Sequence, residues 1–95
     1  MTVAEDIHDK LAKAFAPERL RVVDESHLHI GHAGARPGGE SHFRVEIVSQ
    51  QFEGEPRVAR QRRVYTVLAA ELAGPVHALS VRALAPDEAP AVHNG

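Results

Sequence analysis

The window from Asp24 to Ser49, DESHLHIGHAGARPGGESHFRVEIVS, constrains the chain more than any other stretch. Phe43, Val45 and Ile47 alternate with His42, Arg44 and Glu46, and a side-chain period of two belongs to a β-strand with one buried face. A strand is expected over His42 to Ser49. Leu20 to Glu25, with its Val22-Val23 centre, suits a second strand, and the two should pair antiparallel. The connection between them, from about Ser26 to Gly39, is long for a hairpin, and such loops in small domains tend to be functional or disordered. Of the seven histidines, His27, His29, His32 and His42 fall in this window, interspersed with Gly31, Gly34, Gly38 and Gly39. Glycine lets a backbone approach a partner closely, and neutral imidazole ligates borderline metals. The loop is expected to bind something.

The rest of the chain reads as scaffolding. Thr2-Val3-Ala4-Glu5 has capping-box spacing, so a helix should start there. Val3, Ile7, Leu11, Ala14 and Phe15 then recur at intervals of three and four, which lays one apolar stripe on a core, and Pro17 ends the helix. After the turn-like segment Gln51 to Pro56, a second helix is expected from about Arg57 to Ala73. Its buried face would be Val64, Tyr65, Leu68 and Leu72, and Gly74-Pro75 would stop it. Val76 to Leu84 should form a third strand with His77, Leu79 and Val81 on one face. The order helix, strand, strand, helix, strand gives an α+β fold: a small three-stranded mixed sheet with helices packed on one face. Because a helix joins the second and third strands, that pair should be parallel.

Ninety-five residues bury one core, so a single domain is expected over 1–86, with 87–95 as a flexible tail. No apolar run approaches the ~20 residues that span a bilayer. Glu5, Asp6, Asp9 and Lys10 interrupt the segment where a signal peptide would need an apolar run. A cytoplasmic protein without membrane contact, monomeric when alone, is the expectation. The formal net charge of −2 gives no global attraction to nucleic acid or anionic lipid, so any such binding needs a local patch. Cysteine is absent, which excludes disulfides and the chain's own thiolates as metal ligands.

DESHLHIGHAG, GGESHFRVEIVS, FEG, RVARQRRVYTVLAAEL and GPVHALSV, in this order and spacing, closely resemble the BolA family, over about Val22 to Ala85. The resemblance implies a fold similar to the type II KH domain. It also implies partnership with a monothiol glutaredoxin, with which members share a [2Fe-2S] cluster, and for some members DNA-binding regulation of morphology and stress response. Two departures stand out. Arg60-Gln61-Arg62 replaces the usual Arg-His-Arg, and Asp87-Glu88-Ala89 stands where a tryptophan is frequent.

Read from its residues alone, His77 is a strand-end histidine behind a rigid Gly74-Pro75 approach, and such residues are commonly half-buried and hydrogen-bonded. The resemblance makes His77 a cluster ligand. It places the second ligand in the loop, where counting back from GGESHF favours His32 and counting on from DES favours His29; His32, flanked by Gly31 and Gly34, is preferred. His27 and His29, at i, i+2, could instead hold a divalent ion together. His42 is read as structural. A cysteine-free protein can contribute only imidazoles to a cluster, the thiolates coming from a glutaredoxin and its glutathione, as the resemblance implies. No bound cluster is expected in the isolated chain.

Arg57, Arg60, Arg62 and Arg63 crowd the first turns of the second helix, where the dipole disfavours positive charge. They read either as a solvated face offset by Glu53 and Glu55, or as a contact for DNA phosphate or an acidic partner. Gly31-His32-Ala33-Gly34 spells the GxxG of KH domains, but here it lies between strands rather than helices and is discounted. No Lys-Ser or Lys-Thr follows Gly38 or Gly39, so the loop is not a P-loop. No serine has nucleophile context and no histidine and carboxylate pair has assignable acid and base roles, so no enzyme is expected.

Overall fold

The computed structural model describes residues 2–25 and 41–89. Helix α1 (Val3–Phe15) is followed by strands β1 (Arg19–Asp24) and β2 (His42–Val48) and a 3-10 turn (Gln50–Phe52). Then come α2 (Arg57–Val67), α3 (Ala69–Ala73), β3 (Ala78–Leu84) and a closing 3-10 turn (Pro86–Glu88).

Helix α1 starts where its capping box requires. Thr2 Oγ1 accepts from Glu5 N at 3.1 Å, and Glu5 Oε1 accepts from Thr2 N at 2.9 Å, which holds the Glu5 carboxyl below the usual carboxylate range. The helix ends at Ala16, which takes a left-handed conformation (φ 44°) while its N–H bonds Ala12 O at 3.1 Å. A Cβ is strained there. Ala16→Gly is therefore expected to stabilise the domain by about 0.5–1 kcal/mol, as relief of the strain exceeds the entropic cost of glycine. Urea titration would show it as a higher midpoint at unchanged slope.

The sheet order is β1-β2-β3, with β1–β2 antiparallel (Val22 opposite Val45) and β2–β3 parallel (Val45 opposite Val81), as the element order requires. Leu20, Val22, Phe43, Val45, Ile47, Leu79, Val81 and Ala83 share the face that the helices cover, against Ile7, Leu11, Phe15, Val64 and Leu68. The opposite face carries Arg19, Arg21, Arg44, Glu46 and Arg82; Arg44 binds Glu25 at 3.1 Å and Glu46 at 3.0 Å.

Three expectations need correction. The second helix is not continuous: Leu68 (φ −99°, ψ 19°) separates α2 from α3. Val64, Thr66 and Val67 bring β-branched stiffness just before the break, and the Thr66 hydroxyl bonds back to Arg62 O at 2.8 Å, a contact that bends helices. Tyr65 does not line the core. It lies one step round the helix from fully buried Val64, is 40% exposed, and donates its hydroxyl to Leu79 O at 3.0 Å. Nor does the chain lose order directly beyond Pro86, because Asp87 and Glu88 sit in the closing 3-10 turn; residues 90–95 of the expected tail lie outside the described residues.

Helix α2 also seals an edge. The bonds Ala78 N to Ser41 O and Ser49 N to Leu84 O show that even-numbered β3 residues pair with β2, so the backbone groups of Leu79, Val81 and Ala83 point outward. Their carbonyls accept from Tyr65, from Gln61 Nε2 (3.5 Å) and from Arg60 Nη1 (3.1 Å). Open strand edges invite pairing with other chains, and these side chains occupy the acceptors.

Candidate site at the root of the histidine loop

His77 stands directly before β3 rather than within it. Buried Val76 precedes it, with its N–H bonded to Glu71 O at 3.0 Å, and His77 N donates to Ser41 O at 2.7 Å. The residue is fixed by backbone bonds on both sides while its side chain is exposed. His42, only 7% exposed, places its ring 5.4 Å from the His77 ring at 50°, and its Nδ1 lies 2.9 Å from Ser41 Oγ. The expected structural role of His42 fits this burial.

The same corner anchors both ends of the histidine-bearing connection. Glu25 N bonds His42 O at 2.8 Å, and Ser41 O accepts from His77 and Ala78. His32 and His29, the expected loop ligands, and His27 lie outside the described residues. Chain length alone bounds their distance from this corner: His32 is seven residues from Glu25, and each residue spans at most ~3.6 Å. Among the described residues no three histidine or carboxylate side chains converge on a metal position. Toward a cluster, this chain offers one exposed imidazole on a rigid mount beside the roots of a loop that carries more. That donor set suits the nitrogen half of a centre whose thiolates come from elsewhere.

The four expected arginines divide into two pairs. Arg60 is 3% exposed. Its guanidinium donates to Glu55 O (2.8 Å), Ala83 O (3.1 Å) and both carboxylate oxygens of Glu88, one of them at 3.0 Å. The Glu88 hydrogen bonds raise the Arg60 pKa, and the same bonds, helped by Ala85 N–H, pull the Glu88 carboxyl down to about 2. Arg60 is therefore not available to an external phosphate, which corrects its place in the expected anion contact. Arg63 bonds Glu55 at 2.6 Å and Gln51 O at 3.0 Å, and lies over the Phe15 and Phe52 rings at 5.2 and 5.7 Å. For Arg63 the expected offset by Glu55 holds. Arg57 and Arg62 are exposed and, among the described residues, have no carboxylate within 4.0 Å. Neither forms an ion pair there, although the Arg57 charge is close enough to help lower the Glu88 pKa.

Two participants carry little local signal. Glu88 lies in the segment expected to be a tail, and nothing near it in sequence announces that it reaches back to α2. Arg82 is a single charge in a strand, and only its alternation with Val81 and Ala83 marks it for the open face. No helix among the described residues is long and apolar enough to cross a membrane.

The family described as BolA-like protein matches residues 11–88 of this chain. The human BolA-like protein 1 is 49% identical over 80 residues, covering 84% of this chain and 56% of that protein. The Escherichia coli protein named DNA-binding transcriptional regulator BolA is 47% identical over 81 residues, covering 85% and 73%. The structure of BolA1 from Arabidopsis thaliana superposes with a TM-score of 0.85 at 39% identity, covering 95% of this chain and 99% of that one. None of these names carries an enzymatic activity. A match that takes in α2, the His77 mount and the whole sheet leaves one conclusion: the chain belongs to the BolA-like protein family.

Proposed function

We propose that the protein is an adaptor that docks with a monothiol glutaredoxin and completes a shared [2Fe-2S] cluster, serving cluster trafficking or iron regulation. The observation that carries this reading is the placement of His77, exposed and immobilised where both roots of the histidine-rich loop meet. Bound there, the cluster would supply electron-transfer chemistry, with imidazole ligation raising its potential relative to all-thiolate ligation. The chain's part is to hold neutral imidazole nitrogens at fixed positions. Ser41 O fixes the His77 backbone, and the His42 ring backs the His77 ring. His32 is the proposed loop ligand and His29 its alternative.

Anaerobic reconstitution with a monothiol glutaredoxin and glutathione tests the proposal. His77→Ala should abolish the visible absorption and circular dichroism bands of the mixed complex, whereas His8→Ala, on the exposed side of α1, should leave them intact. His32→Ala should perturb the bands more than His29→Ala. Bands of wild-type shape and intensity from the His77→Ala protein would overturn the ligand assignment.

A second reading is favoured by the Escherichia coli relative's name together with the exposed arginines that form no ion pair among the described residues. On this reading the protein is a DNA-binding regulator whose phosphate contacts come from arginines the fold leaves unpaired, Arg57 and Arg62 among the expected ones. Arg60 and Arg63, committed internally, contribute through stability alone.

A further inference from the structure

The geometry points to an oxyanion cleft between the first turn of α2 and the outer edge of β3, built to take a phosphate of a nucleic-acid backbone. Arg57, Gln61, Val81, Arg82 and Ala83 line a cavity of about 60 Å³, room for one small oxyanion. The Val81 and Ala83 carbonyls at this edge are already occupied by Gln61 and Arg60. What the edge still offers is donors: the outward N–H groups of Val81 and Ala83, which follow from the register, and two guanidiniums without carboxylate partners among the described residues. Glu88 is tied to Arg60 by both its oxygens, so toward Arg57 it acts through space and not through a hydrogen bond. A site of unspent donors with its acceptors consumed selects anions.

The cleft does not stand alone. Across β3, Arg82 also lines a second cleft with Arg19 and Glu46, over the apolar floor of Val48 and Leu84. In the strand register Arg21 lies level with Arg82, one strand beyond Glu46, and Glu46 is shared between Arg44 at 3.0 Å and Arg21 at 4.0 Å. Arg57, Arg82, Arg19 and Arg21 thus form a basic arc over the C-terminal half of β3 on a chain whose net charge is −2. A string of phosphates matches an arc better than a single free anion does. This inference rests on the DNA-binding reading and relocates its contact from the helix surface to the helix–strand edge. The arc lies at the opposite end of β3 from His77, so both functions could operate on one molecule.

Amide NMR with inorganic phosphate and fluorescence anisotropy with duplex DNA over a range of salt test it. Phosphate should shift the Val81 and Ala83 amide signals. The double variant Arg57→Ala/Arg82→Ala should bind duplex at least tenfold more weakly and lower the slope of log K against log salt by about 1.8, roughly 0.9 per phosphate contact. Lys13→Ala, which removes one positive charge from the exposed side of α1, should do neither, and all variants should keep the wild-type thermal midpoint. Duplex binding with an undiminished salt slope in the double variant overturns the cleft. Phosphate-induced shifts without duplex binding sustain the oxyanion cleft but overturn its nucleic-acid source and the DNA-binding reading with it. Absence of shifts at Val81 and Ala83 overturns the cleft whatever the duplex does.

Discussion

Phe52→Ala should destabilise the domain by about 3–5 kcal/mol, the range for emptying a buried phenylalanine site. Phe52 is fully buried, and its ring lies 5.0 Å from that of Phe15 at the end of α1. The Arg63 guanidinium covers both rings, so the truncation opens a cavity and removes half of a cation–π contact in one step. Neighbours cannot easily collapse into the space, because Ser49, which caps the 3-10 turn carrying Phe52, is pinned by its hydroxyl to Phe15 O at 2.7 Å. For a domain of this length each kcal/mol moves the thermal midpoint by about 4–8 °C. A drop of at least 12 °C by differential scanning calorimetry is expected, with Phe52→Leu recovering most of it. A drop below about 5 °C would mean that the junction of α1, α2 and the 3-10 turn is not where the core is keyed.

The position of Phe52 shows where sequence reasoning reached and where it stopped. Periodicity located α1, both antiparallel strands and the parallel third strand, because one buried face repeated every 3.6 or 2 residues leaves a pattern in a short window. It also picked out Phe43, Val45 and Ile47 as core. Phe52 sits in a 3-10 turn of three residues, too short to show any period, so the pattern marks it only as part of a turn-like segment and not as core. The break at Leu68 was equally hidden, since no glycine or proline marks it. At the candidate site, His77 was legible as a residue with a rigid approach. Its contact with His42 was not, because residues 35 apart in sequence meet only through the parallel pairing of β2 and β3. The arginines misled for a similar reason. Four positive charges within about two helical turns read as one patch, while the fold turns Arg60 inward to an edge carbonyl and a distant carboxylate. Local charge density says nothing about which side chains a remote segment will claim.

Arg60→Met should cost about 2–4 kcal/mol, although methionine fills much the same volume. The loss follows from what is stranded: Ala83 O gives up its donor in a buried position and Glu55 O in a part-buried one, at about 1–3 kcal/mol for each unsatisfied group, partly relieved by the removal of a buried charge. The Glu88 carboxylate loses its partner as well, which gives the variant a pH signature. In the wild type this carboxyl titrates at about 2, below its unfolded value near 4.5. A depressed folded pKa means that the associated stability is fully present above about pH 4.5 and fades as the pH falls toward 2. Thermal midpoints should therefore decline more steeply across that window in the wild type than in Arg60→Met or Glu88→Gln; the Glu88→Gln curve should meet the wild type at its acid end, while Arg60→Met approaches it but stays lower by the pH-independent loss at the two carbonyls. Parallel curves would show that the Arg60–Glu88 pair does not couple the closing turn to α2. The same experiment guards the DNA reading against a false positive: an Arg60 variant that binds DNA poorly at 37 °C but normally at 10 °C has lost its fold, not a phosphate contact.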